Sequence, residues 1–452
     1  MLTGRNTELQ TLNNLYTSDK STITVLYGRK WIGKTALIKE FAAGKNLLYY
    51  YAMPASLKEQ TKLMCHAFGI EETKDDIQEM TYYDILNAVD TTKGRVIIAV
   101  EEFHNIVKYN NEFMSAVAAI VRENKKNIMF IMSSSSISWI ENSMVSAVGR
   151  NALYISSFIK LKELSFLDTV RFFSQYSMKD CVRIYAICDG VPGIISRMSK
   201  KQPLEENIAR YVLSEASMLK TLGYDIVNEE LRETALYNTI LTCLAQNENK
   251  LNDIHEYTGF GRDKISVYIK NLIEREIVEK VFSYDTKGLE NARKGLYRIK
   301  SGFVEFWYRY VYPNYSALAV MEPKEFYHQY IEASFDDCVG EAFVKVCNEY
   351  IDMLVASGEL PFAIEKRGRW WGKDGDIEII AENSEQKVLA AKCVWSEELY
   401  TADMYNQFVN TMVSAKIEAD IVYIFSGSGF DEGMEVIARN HDNLRLVSLD
   451  DM

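Results

Sequence analysis

The feature that most constrains this chain is an apolar segment that runs directly into a loop bounded by glycines. Residues 22–27 read Thr-Ile-Thr-Val-Leu-Tyr, and residues 28–35 match the pattern G-x-x-x-x-G-K-[ST] at every fixed position. The glycines allow successive N–H groups to turn inward toward a phosphate, and the following helix adds its positive dipole end. A chance glycine turn is the alternative. The strand before the loop and the amphipathic helix after it favour a nucleotide-binding loop instead, for ATP or GTP.

The loop supplies the candidate nucleotide contacts. We expect the catalytic Lys34 to reach the β- and γ-phosphates, and we expect the Thr35 hydroxyl to ligate Mg²⁺. The candidate contact residues are Gly28, Arg29, Lys30, Trp31, Ile32, Gly33, Lys34, Thr35 and Ala36.

A second apolar segment ends in two acids. Residues 96–100 are Val-Ile-Ile-Ala-Val, as expected of a strand buried on both faces of a parallel sheet, and Glu101 and Glu102 follow. In P-loop ATPases the first acid supports the metal and the second orients or deprotonates water. The usual first acid is aspartate, and the longer Glu101 could shift the position of the metal. This departure affects the prediction of nucleotide hydrolysis more than the prediction of nucleotide binding. Solvated acids at a strand end are the alternative.

Two further features complete the candidate site. Residues 133–136 are four serines that end a third apolar segment, where P-loop ATPases carry a residue that senses the γ-phosphate. Arg150 follows in Val-Gly-Arg and can act as a catalytic finger on the γ-phosphate, from the same chain or from another. The alternative for the serines is a turn at the end of a strand, and the alternative for Arg150 is an ordinary surface arginine.

Several motifs occur in order along the chain: Leu-Thr-Gly-Arg-Asn-Thr-Glu-Leu from residue 2, the loop, Glu-Glu-Phe, the serine run, Gly-Arg at 149–150 and Gly-Val-Pro-Gly from residue 190. Together they resemble the archaeal-type ATPases of the STAND class, which are AAA-related P-loop NTPases that act as switches. The resemblance implies an α/β fold, in which a parallel P-loop sheet is followed by a helical lid, a winged helix and a C-terminal α/β domain with a restriction-endonuclease-like fold. It also implies ATP rather than GTP, together with Mg²⁺.

The resemblance and the helix and strand patterns of the sequence together predict five regions. These are a P-loop ATPase core at 1–162, a helical lid at 163–225, a winged helix at 226–302, a helical connector at 303–330 and a restriction-endonuclease-like domain at 331–452. We expect the last domain to be inactive. Asp376 and Glu378 can offer its first acid, but Lys392 stands where the family pattern has the second acid, and Val394 stands where it has the lysine. A cation at a metal position repels Mg²⁺, and valine cannot activate water.

Charge argues against a dedicated nucleic-acid binder. The net charge is −12, whereas duplex-binding domains usually show a concentrated basic face. DNA binding through the winged helix remains open, because its helix predicted over residues 262–275 has a modest basic bias. Residues 366–373 mix basic and aromatic side chains that can track phosphates and stack bases, although a core strand is the favoured interpretation. A protein partner and nucleotide-dependent self-association also stay open.

The sequence predicts a cytoplasmic protein without a membrane anchor. No apolar run approaches about 18 residues, so a membrane span is not expected. The N-terminus lacks the apolar core of a signal peptide. The seven cysteines form no C-x-x-C pair, which predicts reduced thiols.

The predicted function is that of a slow Mg²⁺-dependent ATPase that acts as a nucleotide-controlled molecular switch, with Glu102 as the base and with Thr35 and Glu101 at the metal. The alternative is a non-hydrolysing, nucleotide-bound scaffold that binds DNA or protein through its winged-helix and C-terminal domains.

Overall fold

The computed structural model describes residues 2–70, 80–108, 110–228, 231, 233–286 and 295–452. The chain divides into two compact units, one comprising Met1–Leu164 with Val191–Gly193 and the other Ser165–Gly190 with Ile194–Met452. Parts of the predicted winged helix, residues 229–230, 232 and 287–294, lie outside the described residues. Within the described ranges, no helix is long and apolar enough to cross a bilayer.

The N-terminal unit is built on a parallel sheet of five strands in the order β2-β3-β4-β1-β5. The strands are β1 Thr22–Tyr27, β2 Asn46–Tyr51, β3 Val96–Glu101, β4 Ile128–Ser134 and β5 Ser157–Lys160. All six residues of β3 are buried, and alternate residues enter separate apolar clusters, with Ile98 in one and Ile97 in the other. Burial on both faces explains the continuous apolar run in the sequence. The three predicted strands are confirmed.

The carboxyl ends of β1, β3 and β4 meet at one edge of this sheet. In the register of the strands, Tyr27 pairs with Ser134 and Val100 pairs with Met132. The loop after β1, the acids at the end of β3 and the serines at the end of β4 therefore emerge side by side. This edge is where open α/β sheets bind their ligands.

Helices connect the strands of the N-terminal unit. They are α1 Asn6–Tyr16, α2 Lys34–Ala42, α3 Leu57–Phe68, α4 Tyr82–Ala88, α5 His104–Val107, α6 Glu112–Glu123, α7 Ile137–Asn142 and α8 Met144–Val148, followed by a 3₁₀ turn at Gly149–Tyr154. The longer helices are amphipathic, and α6 shows the pattern clearly. It buries Phe113, Val117 and Ile120, which share one face of a helix because they are spaced four and three residues apart.

Most of the chain between residues 165 and 330 is helical. The helices are α9 Phe166–Phe172, α10 Met178–Cys188, α11 Pro192–Ile195, α12 Leu204–Asn207, α13 Leu219–Asn228, α14 Thr234–Ala245, α15 Leu251–Thr258, α16 Arg262–Glu274, α17 Gly302–Phe306, α18 Tyr315–Leu318 and α19 Pro323–Tyr330. An antiparallel hairpin follows α16, formed by β6 Val278–Phe282 and β7 Gly295–Ile299. The face of α16 that carries Ile265, Ile269 and Leu272 is buried, as the spacing of these residues predicts.

The C-terminal part of the second unit contains a mixed sheet of five strands in the order β12-β11-β10-β9-β8. Its elements are α20 Phe335–Ser357, β8 Lys366–Gly372, β9 Gly375–Glu382, β10 Val388–Val394, α21 Ala402–Ala415, β11 Ile421–Ser426, α22 Glu432–Asn440 and β12 Leu444–Ser448. Strand β9 is antiparallel to both of its neighbours, β8 and β10, whereas β10, β11 and β12 are parallel. Trp370 of β8 is buried in the core of this sheet. The overall fold class is α/β, as predicted.

Candidate functional site

The loop between β1 and α2 needs glycine at both fixed positions. A β-carbon added to Gly28 would lie 2.7 Å from the carbonyl oxygen of Leu161, which is closer than any side chain allows. Gly33, the residue before α2, has a φ angle of 98°, a conformation that residues with a β-carbon rarely adopt. The two glycines of the motif therefore serve different purposes, close approach at the first position and a left-handed turn at the second.

A buried arginine near the N-terminus supports the loop from behind. Arg5 is 5% exposed, and its Nη2 donates to the carbonyl oxygens of Ile32 at 3.0 Å and Lys162 at 2.8 Å. Arg29, within the loop, is ion-paired with Glu163 at 2.9 Å. These contacts join the loop to the segment that follows β5, and they fix the loop backbone from two sides.

The ammonium group of Lys34 lies against the loop backbone. Lys34 is 7% exposed, and its Nζ donates to the carbonyl oxygens of Gly28 at 2.8 Å and Arg29 at 3.1 Å. Burial lowers the pKa of Lys34, and the carboxylates of Glu102 and Glu101 oppose that shift. A desolvated ammonium of this kind makes strong hydrogen bonds to phosphate oxygens.

Thr35 and Glu101 meet directly at the sheet edge. The Thr35 hydroxyl lies 2.8 Å from Oε1 and 2.9 Å from Oε2 of Glu101, which is 2% exposed. The hydroxyl of Tyr49, on the neighbouring strand β2, also donates to Oε2. Burial and this hydrogen bond raise the pKa of Tyr49, so the phenol stays protonated. The described hydrogen bonds to Glu101 thus come from neutral groups, and its negative charge remains available to a cation.

Glu102 is held by the end of the next strand. Its φ angle is 53° and it is 9% exposed. Its Oε2 accepts hydrogen bonds from the backbone N–H of Ser135 at 2.9 Å and from the Ser135 hydroxyl at 2.8 Å. Nδ1 of His104 lies 3.3 Å from the same oxygen.

His104 does not bring a positive charge to this cluster. Burial lowers the pKa of His104 to about 4, and the nearby Glu102 carboxylate only partly opposes the shift. The imidazole is therefore neutral near pH 7. Its Nδ1 lies 2.9 Å from the hydroxyl of Ser134, so the histidine links the acids after β3 to the serines after β4.

Arg150 lies apart from these side chains. It is exposed in the 3₁₀ turn Gly149–Tyr154, which is tied to α6 by a hydrogen bond of 3.0 Å from Asn151 to Ser115. No hydrogen bond or ion pair joins the Arg150 side chain to another residue in the described part of the chain. The structure thus brings the loop lysine, the threonine and both acids together but leaves Arg150 outside, and its role as a finger stays a prediction.

The segment Val191–Gly193 touches the loop. The N–H of Gly193 donates to the carbonyl oxygen of Trp31 at 2.9 Å, and a β-carbon at Gly193 would lie 2.6 Å from the β-carbon of Trp31. Pro192 approaches the other end of the loop, 3.8 Å from where a β-carbon of Gly33 would stand. The Gly-Val-Pro-Gly motif singled out in the sequence is therefore part of the surroundings of the loop.

Comparisons with known proteins agree with this geometry. Residues 2–198 match a family described as "ATPase domain predominantly from Archaea", and residues 307–410 match a family described as "Archaea bacterial proteins of unknown function". An uncharacterized protein of Methanocaldococcus jannaschii, MJECL04, is 30% identical over 404 residues, which are 88% of either chain. The chain belongs to the archaeal-type ATPase family.

Two solved structures are similar to this archaeal-type ATPase. The Walker-type ATPase paby2304 of Pyrococcus abyssi is 14% identical, with a TM-score of 0.51, and the match covers 68% of this chain and 96% of that one. The ORC2 protein of Aeropyrum pernix, in its ADPNP–ADP complexes, is 16% identical with a TM-score of 0.45 and covers 70% of this chain and 96% of its own. The first match supports a P-loop ATPase fold, and the second is too distant to bear on function.

The C-terminal sheet of the archaeal-type ATPase carries a different acid cluster. Nζ of Lys392 donates to Oε1 of Glu378 at 2.8 Å and to the carbonyl oxygen of Asp376 at 3.2 Å. Burial raises the pKa of Glu378, and Lys392 opposes that shift. Lys392, which stands where the family pattern has the second acid, is thus ion-paired with Glu378. Val394, which stands where the pattern has the lysine, is the last residue of β10.

The basic segment on β8 of this ATPase is also paired internally. Three of its cations bind acids of the same unit: Lys366 with Glu382 at 3.0 Å, Arg367 with Asp352 at 2.7 Å and Arg369 with Glu341 at 2.9 Å. A phosphate would have to displace these carboxylates. Three of the four cations in residues 366–373 are therefore compensated by carboxylates, which argues against a basic face for nucleic acid on this strand.

Sequence reasoning did not identify the individual roles of Arg5, Tyr49 and Ser135. Ser135 lay within the serine run, and a polar residue at the carboxyl end of a strand next to β3 is the signal that could have paired it with Glu102. Arg5 lay within a recognised motif, but its contacts with the loop and with Lys162 are tertiary. Tyr49 lies on an edge strand, beside Ala99 in the register, and no spacing relates it to the loop.

Proposed function

We propose that this archaeal-type ATPase is a slow Mg²⁺-dependent enzyme that converts ATP to ADP and phosphate and acts as a nucleotide-controlled molecular switch. The observation that carries the proposal is the contact between the Thr35 hydroxyl and the Glu101 carboxylate, beside the buried Lys34. A hydroxyl and a carboxylate can both supply oxygen ligands to Mg²⁺, and a lysine at this position of the loop can bind nucleotide phosphates.

The Thr35 and Glu101 oxygens fit a magnesium ion. Mg²⁺ prefers octahedral oxygen ligands at about 2.0–2.1 Å, so adjacent ligands lie about 3 Å apart. The oxygen separations of 2.8 and 2.9 Å are close to that value. When bound, Mg²⁺ would neutralise charge on the β- and γ-phosphates. The longer side chain of Glu101 reaches Thr35, so the exchange of aspartate for glutamate is compatible with such a site.

The protein groups have separate tasks in this proposal. The backbone N–H groups of the loop and the ammonium of Lys34 donate to the phosphates. Glu102 orients a water molecule and accepts its proton as the water oxygen bonds to the γ-phosphorus and ADP departs. Arg150, from the same chain or from a second copy, adds positive charge near the γ-phosphate.

The contact between Gly193 and Trp31 supports the switch. A change in the loop on nucleotide binding or release acts on Val191–Gly193, and the next residues in the chain on either side belong to the second unit. We infer that this segment reports the nucleotide state to a helical lid at 163–225, a winged helix at 226–302, a connector at 303–330 and an inactive endonuclease-like domain at 331–452. A ligand shifts such an equilibrium only as far as it binds the two states differently.

A nucleotide-bound scaffold without turnover is the second candidate function. The observation that favours it is Glu101, which stands where an ATPase of this kind usually has aspartate. In that case the winged helix and the C-terminal domain would recognise DNA or protein while the nucleotide stabilises the fold.

The test is ATP–Mg²⁺ binding by calorimetry and steady-state phosphate release, measured on the same preparation. We expect binding with slow turnover in the wild type, loss of both in Lys34→Ala, and binding without turnover in Glu102→Gln. Lys39→Ala, which removes an exposed lysine of the same helix, is the matched control and should behave as the wild type. Tight binding without turnover would support the scaffold, and absence of ATP binding would overturn both functions.

A further inference from the structure

Asp189 occupies a position where the local backbone favours a different type of residue. It follows the last residue of α10 with a φ angle of 49°, a left-handed conformation that glycine or asparagine usually adopts at helix ends. A carboxylate there also faces the negative end of the helix dipole, and Asp189 is only 7% exposed. Because a buried charge needs a partner, the rest of the fold has to compensate this aspartate.

Two other parts of the second unit supply that compensation. Nζ of Lys345, on α20, donates to Oδ1 of Asp189 at 2.8 Å and to the carbonyl oxygen of Lys300, directly after β7, at 3.2 Å. The N–H of Gly302, the first residue of α17, donates to Oδ2 of Asp189 at 3.3 Å. A β-carbon at Gly302 would overlap the carbonyl oxygen of Ala186. The end of α10 is therefore bonded to α20 and packed closely against the start of α17.

A second contact joins α10 to α20 one turn away. Tyr185 lies one turn before Asp189 on α10, and its hydroxyl donates to Oε1 of Glu349 at 2.8 Å. Glu349 lies one turn after Lys345 on α20, and residues four apart share one face of a helix. The end of α10 is thus bonded to α20 at two successive levels, so a displacement of one helix end is carried to the other.

The chain leads from Asp189 directly to the nucleotide-binding loop. Only Gly190 separates Asp189 from Val191–Gly193, the segment that belongs to the N-terminal unit. Within that segment, the N–H of Gly193 donates to the carbonyl oxygen of Trp31 in the loop at 2.9 Å. A shift of the segment therefore reaches the Asp189 carboxylate across a single intervening residue.

We propose that the ion pair of Asp189 with Lys345 is the link through which the nucleotide state of the loop reaches the C-terminal helix α20. This inference rests on the proposed function, because it gives the nucleotide-controlled switch a route. A displacement of Val191–Gly193 on nucleotide binding or release displaces Asp189, and the bonded ammonium carries that displacement to α20. The pair does not touch the nucleotide, so its loss leaves binding in place and removes the response of α20.

The test is amide hydrogen exchange of α20, measured by mass spectrometry on the full chain with and without ATP–Mg²⁺. In the wild type we expect ATP to change the exchange rate of these amides by about fivefold or more, the size of a typical coupling between sites. In Asp189→Gly this change should be absent while ATP still binds. The variant should keep its fold, because glycine suits the left-handed position and Lys345, with 41% of its side chain exposed, can be solvated.

Two further variants test the link from its other side. Lys345→Met keeps most of the aliphatic stem and removes the charge, so it should abolish the response of α20 as Asp189→Gly does. Lys387→Met is the matched control, because it breaks another lysine–aspartate pair of 2.8 Å, with Asp420, elsewhere in the same unit. Its response to ATP should equal that of the wild type.

The outcomes separate this inference from the proposed function. If ATP changes the exchange of α20 equally in the wild type and in Asp189→Gly, the link is wrong and the proposed function stands. If the wild type hydrolyses ATP without any response of α20, the link and the switch fail and the ATPase stands, whereas absence of ATP binding overturns all three. Should Asp189→Gly not fold, Asp189→Asn keeps an acceptor for Gly302 without the charge and should lose most of the response, and a wild-type response in that variant would equally overturn the link.

Discussion

Two carboxylates on sheet strands, Glu101 at the end of β3 and Glu378 within β9, have different kinds of partner. Glu101 accepts from the hydroxyls of Thr35 and Tyr49. Glu378 accepts from the ammonium of Lys392 at 2.8 Å. Both acids thus lie on strands of a sheet, but the groups that donate to them differ in charge.

An acid on a sheet strand is therefore not by itself a metal site. Hydroxyl donors orient a carboxylate and leave its charge in place, so that a divalent cation can still be attracted. An internal ammonium cancels the charge and occupies the space a cation would use. On this basis the N-terminal cluster is suited to a cation and the C-terminal cluster is suited to a structural ion pair.

Glu101→Lys should have the largest effect, because it places an ammonium group in the N-terminal cluster, as Lys392 does in the C-terminal sheet. We expect Mg²⁺-dependent phosphate release to fall by about 100-fold or more, as when a preorganised electrostatic group is lost from an active site. Glu101→Gln keeps the acceptor for Thr35 without the charge, so its rate of phosphate release should lie between those of the wild type and of Glu101→Lys. Turnover that persists in Glu101→Lys would show that the cation is held elsewhere.

Lys392→Ala makes the reverse change in the C-terminal sheet and should destabilise it. Removing one partner of a largely buried ion pair costs about 3 kcal/mol, and the side chains of Lys392 and Glu378 are 24% and 11% exposed. Near neutral pH the variant leaves the Glu378 carboxylate without its cation, so the full loss of stability is expected there. Because burial raises the pKa of Glu378 in the folded protein, the loss of stability should become smaller as acid protonates this carboxyl.

Denaturant unfolding of Lys392→Ala at neutral and acidic pH measures this effect. The double variant Lys392→Ala/Glu378→Gln, which removes the unpaired charge, is the control and should recover much of the stability at neutral pH. Phosphate release should be unaffected in both variants. A loss of equal size at both pH values would contradict the assignment of a structural ion pair.

His104 should make the N-terminal unit sensitive to acid. The pKa of His104 is lowered from 6.5 to about 4, mainly by burial, so between these values the unfolded chain binds a proton that the folded protein does not. Stability therefore falls as the pH drops from above 6.5 toward 4, by about 3 kcal/mol in total for this group.

The matched variant for this prediction is His104→Gln, which does not titrate. Its unfolding free energy, measured by denaturant titration across the same range of pH, should fall less steeply than that of the wild type. The same slope in both proteins would mean that His104 is not the group responsible.

Tyr49→Phe should produce the smallest effect, because it removes one hydrogen bond and leaves the charge of Glu101 intact. We expect the Mg²⁺ concentration for half-maximal phosphate release to rise about threefold to tenfold, as the loss of one such bond predicts, while the rate at saturating Mg²⁺ stays near that of the wild type. Tyr83→Phe, whose hydroxyl donates to Glu123 at 3.1 Å, is the control. An unchanged Mg²⁺ requirement would remove Tyr49 from the metal site.

The sheet edge could be predicted from the sequence because each part has a local pattern. The glycine-lysine-threonine spacing marks the loop, and the uninterrupted apolar run before Glu101 marks a strand buried on both faces. Once these are placed in a parallel sheet, their carboxyl ends must share one edge. The fold class and the neighbourhood of the acids follow from local sequence.

The finer geometry could not be predicted, because it depends on contacts between residues far apart in the chain. The left-handed backbone at Glu102 and its hydrogen bonds to Ser135 arise only when β3 and β4 are adjacent. Tyr49 reaches Glu101 because β2 is the neighbour of β3. The exposed position of Arg150 likewise depends on how its turn packs on α6 rather than on its short motif.

The contact between Gly193 and Trp31 limits how this protein can be divided into fragments. A piece that ends at Leu164 keeps all five strands of the P-loop sheet but loses the N–H that bonds to the Trp31 carbonyl. A piece that starts at Ser165 carries that N–H without its acceptor. No single cut preserves both compact units, because three residues of the first are encoded within the second. An isolated ATPase core would therefore need residues 191–193 returned to it, for example on a short tether after residue 164.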